Sequence, residues 1–288
     1  MRPAALKTKI FLDSGDPLET AAILQVLGFL DGQTTNPTLI ARNPVAAERL
    51  RNGKKFSRDE IMRFYRDVVT EISGLIPHGS VSIETYADKE TSAKEMLMQG
   101  EDMFSWISNA YIKYPIISAG LEAAKRSVEQ GMRVNMTLCF SEAQAAAVYA
   151  ATEGAKRGGV FVSPFIGRLD DIGENGIDLI KNIVRLYGQG DGHVEVLAAS
   201  ARSVEHLLAS LAFGADIITA PYHVLEAWGD MGMEIPSPDY PYKPPKELKP
   251  INYTDYDLKK SLHEFDITHE LTDKGIEKFS KDWNSIIC

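Results

Sequence analysis

The 288-residue sequence predicts a (β/α)8 barrel, a TIM barrel, followed by a C-terminal helical extension. Three observations predict it. From Lys9 to Trp228, short apolar runs alternate with longer amphipathic ones, making about eight βα units in one pass. No second composition class interrupts them. No Gly-rich phosphate fingerprint follows the first strand, as a doubly wound sheet would require. The nearest match, Gly188-Gln189-Gly190-Asp191-Gly192, precedes a strand and reads as a loop.

The elements follow in order. Lys9–Asp13 is the first strand, with a helix near Leu18–Leu27. Gly32–Asn36 is the second strand. Ser57–Leu75 is helical, with Ser57 and Glu60 spaced as a capping box. Val81–Thr85 is the third strand, Glu90–Trp106 its helix, and Tyr111–Tyr114 the fourth strand. Ser118–Gln130 is a helix ended by Gly131. Arg133–Leu138 is the fifth strand, and Ser141 caps an Ala-rich helix to Glu153. Val160–Ser163, Gly176–Tyr187, Val194–Ala199, Ser203–Ala212 and Asp216–Ala220 continue the alternation, and Pro221–Trp228 opens a further helix. This gives a catalytic barrel over residues 1–230. Six prolines between Pro236 and Pro250 make 231–252 a semi-rigid linker. Residues 253–288 form a charged helical extension packed on the barrel, with helices Asp257–Glu264 and Thr272–Ile286. Phe279, Trp283, Ile286 and Ile287 line one face of it at helical spacing. A lid or a subunit contact is left open for this extension.

Composition narrows the function. The chain is 44% hydrophobic and 25% charged, ordinary for a soluble globular protein. A net charge of −9 argues against a nucleic-acid or anionic-membrane surface, though local arginines can still hold an anionic small molecule. Cys139 and Cys288 make neither a disulfide framework nor a zinc site. The histidines, at 78, 193, 206, 223, 263 and 269, lack paired metal-ligand spacing, so no metal and no cofactor is called for. Residues 1–9 carry no apolar segment of a signal peptide, and no run approaches the ~18 apolar residues of a membrane span. A cytoplasmic protein is expected, with homo-oligomerisation left open.

The fourth strand contains Lys113 between Ile112 and Tyr114. A strand-end lysine commonly snorkels to solvent. A desolvated amine, by contrast, can attack a carbonyl and form a Schiff base. Active sites in such barrels are built at the C-terminal ends of the strands. There the sequence places Asp13, Asn36, Glu84, Lys113, Asn135 and Thr137, then Ser163 with Phe165 and Arg168, then Ser200 with Arg202. Each has a bland reading: Asp13 or Asn36 as a helix cap or turn residue, and Asn135 and Thr137 satisfying each other. Together they supply an amine, two carboxylates, hydrogen-bonding groups and two arginines where barrels otherwise hold branched apolar side chains.

The stretches Phe11-Leu12-Asp13-Ser14-Gly15-Asp16, Thr34-Thr35-Asn36-Pro37, Ile112-Lys113, Val134-Asn135-Met136-Thr137-Leu138, Ser163-Pro164-Phe165-Ile166-Gly167-Arg168 and Ala199-Ser200-Ala201-Arg202 occur in this order. They resemble the transaldolase family, which includes the fructose-6-phosphate aldolases. The resemblance runs from about Lys9 to Trp228. The segment Leu271–Ile287 is similar, less specifically, to the end of longer transaldolases. The resemblance implies a class I aldolase of the pentose phosphate pathway. It matches Lys113 to the Schiff-base lysine and Asp13 to the general acid/base. Glu84 and Thr137 match the pair that holds a water for making and hydrolysing the imine. Asn36, Asn135 and Ser163 match substrate contacts; Arg168, Ser200 and Arg202 match the phosphate site.

It also implies transfer of a dihydroxyacetone unit between sugar phosphates, from fructose 6-phosphate or sedoheptulose 7-phosphate to an aldose phosphate. Phe165 and Glu84 take the transaldolase form; the aldolase branch tends to have tyrosine and glutamine there. An aldolase-type lyase is the alternative. A barrel that binds a sugar phosphate without turning it over is the alternative of another class, and a binding module has no need of a buried amine.

Overall fold

The structure is a computed structural model describing residues 1–244 and 246–288. Eight parallel strands close into a barrel in sequence order. They are β1 (Lys9–Asp13), β2 (Gly32–Thr34), β3 (Ser80–Glu84), β4 (Ala110–Pro115), β5 (Val134–Cys139), β6 (Val160–Pro164), β7 (Val194–Ala198) and β8 (Ile217–Ala220). The helices are α1 (Pro17–Leu27), α2 (Pro37–Arg42), α3 (Pro44–Arg51), α4 (Arg58–Leu75), α5 (Ala93–Phe104), α6 (Ser118–Glu129), α7 (Glu142–Ala151), α8 (Ile166–Asp171), α9 (Gly176–Tyr187), α10 (Val204–Ala212), α11 (Tyr222–Asp230) and α12 (Glu270–Ser285). The predicted barrel is observed, and each predicted strand is present within a residue or two of its expected ends.

The strand–helix alternation is enforced by caps. The Ser57/Glu60 box is formed and starts α4, and Ser92 with Glu95 makes another at α5. Asp16, not Asp13, caps α1, so Asp13 is free of that task. Gly28 ends α1 in the left-handed conformation. Three short helices were not read from sequence: α2, α3 and α8. The first two begin at Asn36-Pro37 and Asn43-Pro44, where an Asn caps and a proline occupies the first turn. Asn36 therefore ends the chain's second extended segment as a cap, and β2 stops at Thr34.

The expected helix Asp257–Glu264 is not formed. Only a 3-10 turn, Leu262–Glu264, is present. The Asp257 carboxylate accepts the Lys259 backbone N–H at 2.9 Å, a local turn that competes with helix. The Leu18–Leu27, Thr272–Ile286 and Ala-rich helices are observed with slightly shifted ends.

The barrel interior is layered, because side chains two apart on a strand share a face. On β1, Lys9, Phe11 and Asp13 point inward in turn. Lys9 pairs with Glu195 at 2.8 Å near the N-terminal end. Above it, Phe11, Tyr111 and Phe161 form an aromatic plug, with Tyr111 stacked on Phe161 at 4.2 Å and Phe11 edge-on at 6.0 Å. Gly32 makes room for this plug: a Cβ there would come within 2.5 Å of the Phe11 ring. Each of these aromatics lies two residues below a polar one, Asp13, Lys113 or Ser163. The plug is the floor of the polar layer.

Helix α12 lies across the C-terminal end of the barrel. Phe279, Trp283 and Ile286 of the predicted apolar face are buried. Thr272 Oγ1 donates to the Leu138 carbonyl at 3.0 Å and accepts from Gln144. Gly275 allows the close approach, since a Cβ there would lie 2.6 Å from a Leu138 methyl. The chain ends pinned to the start of α4, with Cys288 N–H donating to Phe56 O at 2.9 Å. Among the described residues, no helix is long and apolar enough to cross a membrane, and no group of three His, Cys, Asp or Glu is placed to hold a metal.

Candidate active site

Strand register assembles the centre. Glu84 on β3 is opposite Lys113 on β4, Lys113 is opposite Asn135 on β5, and Asp13 on β1 is opposite Thr34 on β2. Inward-pointing residues in register are neighbours across the barrel wall. Lys113 Nζ lies 2.9 Å from Glu84 Oε2, with both side chains 4% exposed, and donates to the Thr35 carbonyl at 3.4 Å. The Glu84 contact is a charge contact, off the line of a good hydrogen bond. Lys113 thus does not snorkel to solvent. Burial raises the Glu84 carboxyl above its ordinary range, against the pull of Lys113; the Asp13 charge pushes the same way as burial. A carboxyl raised in this way takes up a proton more readily than a free one, and Lys113 Nζ stands 2.9 Å from it.

Asp13 lies deep in the barrel with one edge open to the cleft. Its Oδ1 accepts from Thr34 Oγ1 at 2.6 Å, and Thr34 Oγ1 lies 2.6 Å from Thr219 Oγ1 on β8. Burial raises its carboxyl as well, with Lys113 and the Thr34 hydroxyl pulling it back. A carboxyl so poised suits proton transfer nearer neutral pH.

Asn135 and Thr137 do not satisfy each other. Asn135 donates to Ser82 Oγ at 3.0 Å and accepts from Ser163 Oγ at 2.6 Å, a buried polar row across three strands. Thr137 Oγ1 is buried with no hydrogen-bond partner among the described residues, as is Glu84 Oε2. A void of about 10 Å3, about one water in size, lies beside Glu84, Pro115, Leu138 and Phe279, and Thr137 is not part of its lining. The Glu84 backbone is fixed by Tyr65, whose hydroxyl accepts its N–H at 3.0 Å and also meets Thr35 Oγ1.

A cleft of about 420 Å3 opens above this layer. Of the predicted residues, Asp13, Asn36, Lys113, Ser163, Phe165, Arg168, Ser200 and Arg202 line it; Glu84, Asn135 and Thr137 stand behind them. Asn36 accepts the Leu39 N–H at 3.0 Å, so it is both cap and cleft wall. Arg168 lies between the rings of Phe165 at 5.5 Å and Phe279 at 5.4 Å. Burial lowers its pKa from the usual guanidinium value, against the pull of Glu84.

Arg202 instead makes a forked pair with Asp171, Nη1–Oδ1 at 2.6 Å and Nη2–Oδ2 at 2.8 Å, with both side chains about half exposed. Gly167 admits it, since a Cβ there would sit 2.5 Å from Arg202 Nε. Ser200 (φ +55°) and Leu138 (φ +61°) are left-handed non-glycine residues, each next to or within the candidate site.

Sequence reasoning missed Thr34 as an Asp13 partner, Thr219, Asp171, and the α12 residues Leu271, Lys278 and Phe279. Thr219 and Asp171 do sit at a strand end and a helix end next to read positions. The α12 residues carry only the helical apolar spacing, which says nothing about what the face covers. A larger groove of about 1220 Å3 lies on the flank between α6, α7 and residues 257–267, away from all of these groups. Size does not mark the polar centre here.

The family model described as Transaldolase/Fructose-6-phosphate aldolase matches residues 10–287. A probable transaldolase of Herpetosiphon aurantiacus is 35% identical over 278 residues, 96% of each chain. A probable transaldolase of Paracoccus denitrificans is 36% identical over 96% of each chain. One of Ruegeria sp. is 40% identical over 219 residues, 76% of this chain and 88% of that one.

Proposed function

The chain belongs to the transaldolase/fructose-6-phosphate aldolase family, and from that premise we propose that it is a transaldolase working through a Schiff base on Lys113. The observation that carries this reading is the buried Lys113–Glu84 contact, with Asp13 facing the same cleft. A solvent-shielded amine 2.9 Å from a carboxyl that burial makes more basic is placed to exchange a proton and attack a carbonyl.

The Lys113 amine adds to C2 of a ketose phosphate, and the carbonyl oxygen leaves as water, giving a protonated imine. Asp13 takes the C4 hydroxyl proton. The C3–C4 bond breaks, its electrons neutralise the iminium to an enamine, and an aldose phosphate departs. C3 of the enamine then attacks the carbonyl of an acceptor aldose phosphate, and Asp13 returns its proton to the new hydroxyl. Water, placed by Glu84 and Thr137, hydrolyses the imine and frees the product. Asn36, Asn135 and Ser163 order the substrate hydroxyls. Arg168, Ser200 and Arg202 take the phosphate, for which planar, permanently charged guanidinium groups are suited.

Transfer is preferred over free cleavage because the enamine must survive until an acceptor arrives. Phe165 has no hydroxyl to relay a proton to it. Borohydride reduction with fructose 6-phosphate should yield an adduct that maps to Lys113 and disappears in Lys113→Met. Transfer to erythrose 4-phosphate should far exceed cleavage without acceptor. An adduct on another lysine overturns the mechanism; equal cleavage without acceptor replaces transferase by lyase.

A further inference from the structure

We propose that Thr219 is a positioning residue that governs proton transfer at Asp13 through a chain of threonine hydroxyls. The proposal rests on Asp13 being the acid/base of the proposed reaction. Thr219 stands on β8 and Thr34 on β2, the two strands flanking β1, which carries Asp13. Both threonines are almost wholly buried yet line the cleft. Their hydroxyl oxygens are 2.6 Å apart, and Thr34 Oγ1 is 2.6 Å from Asp13 Oδ1.

Each hydroxyl has one proton, so the chain has a polarity. An ionised carboxylate only accepts, so the Thr34 proton is committed to Asp13. Thr219 must then donate to Thr34. The dipoles of both hydroxyls point toward the carboxylate and stabilise its charge together, more than Thr34 would alone. When Asp13 receives the substrate proton on Oδ1, it becomes the donor. Thr34 then turns its proton to Thr219 Oγ1, and the Thr219 proton turns toward the cleft. No atom moves beyond a hydroxyl rotation, and the reverse turn restores the base. The charged groups nearest Asp13 are Lys113 from β4, which favours the carboxylate, and Glu84 from β3, whose own carboxyl the Asp13 charge raises; Arg42 of α2, Arg168 and Asp171 of α8, Arg202, and Lys278 of α12 line the same cleft. None of these is altered by changing Thr219.

The test is the pH profile of kcat/KM for transfer from fructose 6-phosphate in Thr219→Val and Thr219→Ser. Valine keeps the shape and removes the donor. The carboxylate loses support, its proton is held more tightly, and the acid limb moves to higher pH by about half to one unit. On that limb the rate falls roughly three- to tenfold, and on the alkaline side it changes little. Serine restores the wild-type profile. Borohydride trapping at Lys113 stays at its wild-type extent in both. An unmoved limb in Thr219→Val, or a loss equal at every pH, overturns the proposal and leaves Thr219 a packing residue. Wild-type turnover in Asp13→Asn overturns the role of Asp13 itself, and this inference with it.

Discussion

Arg202 and Asp171 offer the sharpest test of how the cleft treats a phosphate, because their contact can be read in two opposed ways. The fork is geometrically good, but the side chains are 48% and 56% exposed. Pairs at that exposure contribute about 0.2–1 kcal/mol. The Arg202 hydrogen bonds hold the Asp171 carboxyl below its ordinary range, so it is ionised throughout any usable assay range. An incoming phosphate must therefore break or share this pair, and it meets a carboxylate of its own sign. Asp171→Asn removes both obstacles, so KM for fructose 6-phosphate should fall by about 1.4- to fivefold, with dihydroxyacetone as donor unaffected. Arg202→Ala removes a charge-assisted contact of about 1.5–3 kcal/mol and should raise the same KM roughly 10- to 150-fold. The double variant should lie within about fivefold of Arg202→Ala, on the tighter side, because only the repulsion by Asp171 is then relieved. Initial rates against both donors decide the matter. A higher KM in Asp171→Asn would mean that the carboxylate aligns the guanidinium for phosphate, and the competition argument would be wrong. Equal losses on both donors in Arg202→Ala would remove the phosphate role altogether.

Asp13→Asn should lose turnover by about 10²–10⁴-fold while still trapping an adduct, because imine formation does not need it. The base must be ionised and burial raises its carboxyl, so wild-type kcat/KM should fall on acidification above the ordinary carboxylate range; a limb at or below that range contradicts the assignment. Phe165→Tyr should narrow the ratio of transfer to cleavage by raising cleavage of fructose 6-phosphate without acceptor, and an unchanged ratio would reduce Phe165 to packing against Phe140 and Arg168. Gly275→Ala should destabilise the protein by about 1–2 kcal/mol in urea unfolding, since the clash with Leu138 outweighs the gain in helix propensity. The added methyl also lies 3.1 Å from Arg168 Nη1, so KM for phosphorylated donors should rise in that variant; a stabilised protein would show that α12 can slide freely over β5.

What the sequence made legible is what local periodicity carries. A strand's alternation assigns Asp13, Lys113 and Ser163 to one face, and the barrel topology then brings those faces together; no long-range information is needed. The same logic explains the aromatic floor, since Phe11, Tyr111 and Phe161 each stand two residues before a polar neighbour. Helix caps were legible for the same reason, as at Ser57 and Glu60. What was not legible depends on how distant segments meet. Asp257–Glu264 has helical composition, but an Asp257 turn outcompetes it, and the difference is too small to read from propensity. The apolar face of α12 was visible as a face. That it closes over the strand ends and sets Phe279 against Arg168 depends on contacts between distant segments, the fit of Gly275 at the left-handed Leu138 and the Thr272 hydrogen bonds to Leu138 and Gln144. The Thr34–Thr219 contact joins residues 185 positions apart. It becomes visible only when β8 closes the barrel beside β1, and closure is the step that turns a row of strand-end residues into one cavity. The polar groups of the centre are thus written strand by strand, whereas the Thr34–Thr219 contact beside Asp13 depends on the seam where the first and last strands meet.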